Sequence, residues 1–132
     1  MSGKDMPSLG AAEAEILKLV WDAREATVQE ICDRLPPERS IVYATVQTML
    51  RRLREKGFVK RRVEGKAHVF LPAINPDKVI SRAVSDLVDL FFGGDAVSLV
   101  MHLAKNKKID RVDLKQLQGL LSQQDHPSGK PK

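Results

Sequence analysis

The sequence predicts a mainly α-helical protein with a small β-wing: a winged helix-turn-helix domain followed by a helical dimerisation domain. Three observations lead there. Apolar residues recur at helical spacing in three successive segments before residue 57. Two short runs rich in β-branched residues then follow, joined through Gly65. Beyond Asn75-Pro76, three more segments carry apolar stripes. The expected boundaries are 1–73 for the winged-helix domain, 74–123 for the helical dimerisation domain and 124–132 for a disordered polar tail.

The first helix is expected from about Leu9 to Ala23. Ser8 can cap it, Glu13 and Glu15 lie toward its positive end, and Ile16, Leu17, Val20 and Trp21 form its apolar stripe. Thr27-Val28-Gln29-Glu30 reads as a capping box, in which Thr and Glu side chains each satisfy a free backbone N–H, with Ala26 and Ile31 at the staple positions. That second helix buries Val28, Ile31 and Leu35 and stops at Pro36-Pro37.

A third helix begins near Ser40 to Val42 and ends at Lys56, where Gly57 supplies the left-handed residue. Val42, Val46, Met49, Leu50 and Leu53 follow one buried face. The opposite face carries Ala44, Gln47, Thr48, Arg51 and Glu55, flanked by Tyr43, Thr45, Arg52 and Arg54. The hairpin strands are Val59 to Val63 and Ala67 to Leu71, joined by Glu64-Gly65-Lys66 and ended by Pro72.

After the expected hinge at Asn75-Pro76, a helix from Asp77 to Phe92 aligns Ile80, Ala83, Val84, Leu87, Val88 and Phe91. Gly93-Gly94 breaks it, Asp95 can cap a short helix through His102 and Leu103, and Asp110 can cap a last one with Leu114, Leu117, Leu120 and Leu121. Some fifty residues make a poor core alone. Two copies sharing one core would solve this, with Ile80, Val84, Leu87, Phe91, Leu99, Leu103, Leu117 and Leu121 at a homodimer interface. The alternative is that these helices fold back onto the first domain of the same chain.

Net charge is +5, unevenly spread: residues 39 to 68 hold nine Lys or Arg against two Glu, and the remainder is slightly acidic. One basic segment in an otherwise near-neutral chain points to a polyanion-binding face. The single Cys32 excludes an internal disulfide and a cysteine-cluster metal site, and reads as a small buried hydrophobe. His68, His102 and His126 show no metal-ligand spacing, so no metal or other cofactor is expected. His68 and His102 have no evident partner set and Cys32 has no adjacent base, which argues against an enzyme. No apolar run reaches membrane-span length and the N-terminus lacks a signal-peptide core, so a cytoplasmic address without membrane insertion is expected.

In a winged helix-turn-helix, the third helix enters the major groove of double-stranded DNA. Tyr43, Ala44, Thr45, Gln47 and Thr48 suit base edges, thymine methyls and nearby phosphates. Arg51, Arg52, Arg62, Lys66 and His68 suit the backbone beside the groove. Two other readings stay open at this stage: Thr45 bonded to its own helix start, and Tyr43 packed against the domain. An acidic protein is an alternative partner for the basic face.

The run Tyr43-Ala44-Thr45-Val46-Gln47-Thr48-Met49-Leu50-Arg51-Arg52-Leu53-Arg54-Glu55-Lys56-Gly57-Phe58-Val59 resembles the recognition-helix pattern of the penicillinase-repressor family (BlaI, MecI and CopY), Tyr-Thr-Thr-Val-x-Thr-x-Leu-x-Arg-Leu-x-x-Lys-Gly. Leu9-Gly10-Ala11-Ala12-Glu13 through Val20-Trp21 resembles the family's first helix, and the similarity spans about residues 8 to 123. The resemblance implies a homodimeric transcriptional repressor on a palindromic operator, answering in some members to a membrane-bound sensor protease that cuts the C-terminal domain. Three departures stand out. Ala44-Thr45 replaces the family's Thr-Thr, His102-Leu103 stands near the Asn-Phe cleavage site, and the cysteine-rich tail of the copper-responsive branch is absent.

Overall fold

A computed structural model describes residues 6–124, which form two compact units that meet in sequence at Ala83 and Val84. The expected polar tail lies outside the described residues, except that Gln124 ends the last helix.

In the first unit, α1 spans Ala11–Ala23 and starts later than expected. Its cap is not Ser8. The Glu13 carboxylate accepts the Gly10 N–H at 2.9 Å, while the Ser8 carbonyl accepts from Lys56 Nζ at 3.0 Å. Ile16, Leu17 and Val20 are buried as expected, and Trp21 packs partly buried beside them. For α2, Val28–Arg34, the capping box is closed in both directions: Thr27 N–H donates to Glu30 Oε1 at 2.8 Å, and Glu30 N–H to Thr27 Oγ1 at 3.2 Å. Ala26 and Ile31 are buried at the staple positions. A 3-10 turn over Pro37–Arg39 then presents Arg39 to Glu15, with Nη2 to Oε1 at 2.6 Å.

The third helix, α3, spans Tyr43–Glu55 and buries Val46, Leu50 and Leu53, with Met49 partly covered. Val42 departs from the expected buried face and is 62% exposed. It is the N-cap, with extended backbone, so its side chain leaves the 100° progression that places the others inward. Gly57, at φ 89°, lets the chain turn out of α3, and Phe58 N–H bonds back to the Leu53 carbonyl at 2.9 Å. That turn drops the Phe58 ring into the centre of the core.

Three strands complete the unit in the order β1-β3-β2. In the hairpin, β2 (Val59–Glu64) and β3 (Ala67–Pro72) pair from Val59↔Pro72 to Glu64↔Ala67. The loop is therefore only Gly65-Lys66, one residue shorter than expected, with Gly65 at φ 62°. The third strand, β1 (Ala26–Thr27), pairs with β3 through Ala26↔Phe70 and Thr27↔Val69. A two-residue strand has no period to read, so the sequence hides it.

The start of α4 (Pro76–Phe92) belongs to this unit, and Val79 is part of its core. The expected hinge at Asn75-Pro76 is a cap: Asn75 Oδ1 accepts the Asp77 N–H at 2.8 Å, and Pro76 holds the first helical position.

The second unit holds the rest of α4, α5 (Ala96–Lys105) and α6 (Arg111–Gln124). Gly93 and Gly94, at φ 59° and 82°, end α4. Asp95 caps α5 through Val97 N–H at 3.0 Å, and Asp110 and Asp113 cap α6 reciprocally at 2.9 and 3.0 Å. Across the break, the rings of Phe92 and His102 meet edge-on at 5.8 Å. Among the described residues of this unit, Val88 alone is a buried apolar side chain. No single described helix is long and apolar enough to cross a membrane.

Candidate nucleic-acid interface

Directly paired residues of an antiparallel ladder share a face, and faces alternate along each strand. The register therefore puts Arg61, Val63, His68 and Phe70 on one face of the hairpin, and Lys60, Arg62, Glu64 and Val69 on the other. The first of these faces and the outer side of α3 bound a cleft of about 210 Å³ lined by Val28, Gln47, Arg51, Arg54, Arg61, His68 and Phe70. Gln47 and Arg51 come from the helix and His68 from the wing, so three sequence-predicted residues open into one space.

Two more arginines share that cleft. Arg54 and Arg61 were visible as charges in the sequence but not among its candidate contacts. Strand phase was the available signal for Arg61, because it alternates onto the face of His68. Arg54 lies seven residues from Gln47, two helical turns along the same side.

The other candidates surround this space without all entering it. Tyr43 is 48% exposed, so the core does not take it up. Ala44 and Thr45 are exposed in the first turn of α3, where Thr45 N–H bonds to the Val42 carbonyl at 3.0 Å. Thr48 is half-buried, Arg52 is exposed, and Lys66 is exposed in the hairpin loop.

Charge is not equally available across the basic segment. Lys56 is committed to the fold: its Nζ lies 2.7 Å from Glu13 Oε1. The Glu13 carboxyl is held below its ordinary range, first by that Lys56 hydrogen bond and then by the Gly10 N–H, against the opposing effect of burial. Arg62 is also engaged. Its Nη1 lies 2.7 Å from Glu25 Oε1 and its Nη2 3.0 Å from Glu64 Oε2. These bonds push the guanidinium further toward its charged form and lower the Glu25 carboxyl. Arg51 reaches Glu55 only at 4.0 Å, with both side chains well exposed. Among the described residues, Arg54, Lys60, Arg61 and Lys66 have no carboxylate partner.

The larger cleft, about 330 Å³, is lined by Ala23, Glu25, Ala26, Glu30, Asp33 and Arg34 and carries the wrong sign for phosphate. No group of His, Cys, Asp and Glu able to hold a metal occurs among the described residues. Cys32 is half-buried against the core, and burial pushes its thiol up, away from the reactive thiolate.

The residues expected at a dimer interface divide by exposure. Ile80, Val84, Leu87, Phe91, Leu117 and Leu121 are exposed, Phe91 to 70%, whereas Leu99 and Leu103 are partly covered.

Known proteins with similar sequences point one way. The penicillinase repressor from Bacillus licheniformis is 26% identical over 91% of this chain and 94% of its own length. The penicillinase repressor from Staphylococcus aureus is 22% identical over 86% and 90%. In structure, a cysteine-to-serine variant of MarR from E. coli aligns over 88% of this chain and 77% of its own, with a TM-score of 0.51 at 20% identity, a likeness of winged-helix fold. The matched relatives are repressors rather than enzymes. The profile of the penicillinase repressor family matches residues 9–123, nearly the whole described chain, and the protein belongs to that family.

Proposed function

We propose that this protein is a homodimeric transcriptional repressor that binds a palindromic DNA operator through α3 and the wing. The observation that carries this is the cleft in which Gln47, Arg51 and Arg54 of α3 face Arg61 and His68 of β2 and β3. A polar side chain able to read base edges stands there among cations that fit phosphate. Tyr43, Ala44, Thr45, Gln47 and Thr48 meet base edges and adjoining phosphates in the major groove. Arg51, Arg52, Arg54, Arg61, Lys66 and His68 hold the backbone, and Arg62 serves the interface from the other face of the wing.

The exposed apolar side chains of α4 and α6 pair two copies, and a two-fold dimer calls for a two-fold operator with half-sites about one helical turn apart. Release by a membrane-bound sensor peptidase would act on the second unit. The His102-Leu103 bond lies within α5, whose His102 carbonyl accepts from Asn106 N–H at 3.1 Å and Asn106 Nδ2 at 2.9 Å. Cutting there requires α5 to open first.

Footprinting with the purified chain on genomic DNA upstream of its own gene tests the reading. A protected, two-fold-symmetric site is expected. Uniform weak protection of all DNA, or none, would contradict it.

A further inference from the structure

The geometry points to Arg62 as a positioning residue for the wing rather than a phosphate contact: bonded to Glu25 across the sheet, it holds β2 so that Arg61 faces the α3 cleft. This rests on the DNA-binding reading above and assigns the wing's two adjacent arginines different tasks.

Register sets the geometry. Arg62 pairs with Val69, and Val69 pairs with Thr27, so these three residues lie in a row on one face of the sheet. Glu25 stands two residues before Thr27, in the bend that leads into β1. Because β3 lies between β2 and β1, the bond from Arg62 to Glu25 joins the edge strand β2 to the other side of the sheet, on the face that carries the buried Val69. The guanidinium makes two contacts, Nη1 to Oε1 at 2.7 Å and Nη2 to Oε2 at 3.4 Å, and Glu64 steadies Nη2 at 3.0 Å.

One ion pair thus links β2, at the free edge of a small wing, to the chain just before β1. Arg61, next along β2, necessarily projects to the opposite face, into the cleft with Gln47, Arg51 and His68. A guanidinium bonded to two carboxylates on the far face has little left to offer phosphate, while Arg61 has no carboxylate partner among the described residues. The planar fork of arginine suits such a two-oxygen clamp, and lysine would not reproduce it.

The decisive variant is Glu25→Gln, because the two roles predict opposite signs. If Arg62 were a phosphate contact restrained by Glu25, removing the carboxylate would free a cation, tighten operator binding and steepen the salt dependence. If Arg62 is a brace, the same change loosens the wing and weakens operator binding by roughly three- to fivefold, the scale of an exposed ion pair, despite the more positive protein. In an Arg61→Gln background, the effect of Glu25→Gln on operator affinity should shrink, because Arg61 is one of the wing contacts that the brace positions. In the free protein, amide exchange of the hairpin should quicken in Glu25→Gln while the thermal midpoint of the unit stays close to wild type. Tighter binding by Glu25→Gln, an undiminished effect in the Arg61→Gln background, or unchanged hairpin exchange would each overturn the inference. Quickened exchange in a protein that binds no operator would leave the brace standing and remove the DNA-binding reading instead.

Discussion

At the scale of single residues, the helix period and the strand phase separate side chains that hold the fold from those that face outward. Gln47 illustrates the second kind: it is exposed on α3 and opens into the basic cleft. Gln47→Ala should cost about 1–3 kcal/mol at the preferred site and relax preference at one position, read by competition between operator variants. Arg61→Gln should act differently, reducing affinity for all sequences alike and lowering the logarithmic salt slope by about one per subunit. Glu13 illustrates the first kind. Composition shows a carboxylate near a helix start, but not that Lys56, forty-three residues later, closes over it. Because its folded pKa lies below the unfolded value of about 4.5, the folded state binds fewer protons in the window between them. The Glu13–Lys56 contribution is therefore fully present above that unfolded value and fades as pH falls through the folded one. Urea titrations from pH 6 to 3 should show a Glu13→Gln variant losing less stability on acidification than wild type.

At the scale of elements, what the sequence made legible was whatever repeats or punctuates. The six α-helices among the described residues, the Thr27–Glu30 box and the glycine stop at Gly57 all carry local signals, and local forces decide them. Strand β1 was hidden because two residues carry no alternation, and Phe58 because its burial follows from the turn at Gly57 rather than from any periodic run. Val42 looked apolar and in phase, yet as the helix cap it points away from the series. The site was half legible for a related reason: helix period places Gln47, Arg51 and Arg54 on one side of α3, whereas their sharing of one cleft with Arg61 and His68 depends on hairpin register. Two substitutions test the local signals. Thr27→Ala should cost about 1 kcal/mol by loss of the α2 cap. Gly57→Ala should cost about 1–2 kcal/mol, because an alanine at φ 89° is strained even though its methyl meets no neighbour.

At the scale of the whole molecule, the first unit has a closed core, whereas the second leaves most of its apolar side chains uncovered. A unit of three short helices in that condition is stabilised by another apolar surface, and a second copy is the assembly proposed here. Replacing both Leu87 and Phe91 with Asp should raise the dimer dissociation constant at least about 30-fold by sedimentation, while the hairpin and α3 keep their amide protection. The proposed dimer would double the phosphate contacts, so the sharpest test of operator reading lies in how binding responds to salt. The measurement is the affinity for a footprinted duplex and a scrambled control between about 50 and 200 mM salt, a range over which multiple phosphate contacts give a large change. Four or five neutralised phosphates per subunit predict a logarithmic slope of about −7 to −9 for the footprinted site, with much weaker binding to the control. A slope near zero, or equal affinity for both duplexes, would contradict the assignment of α3 and the wing as an operator-reading surface.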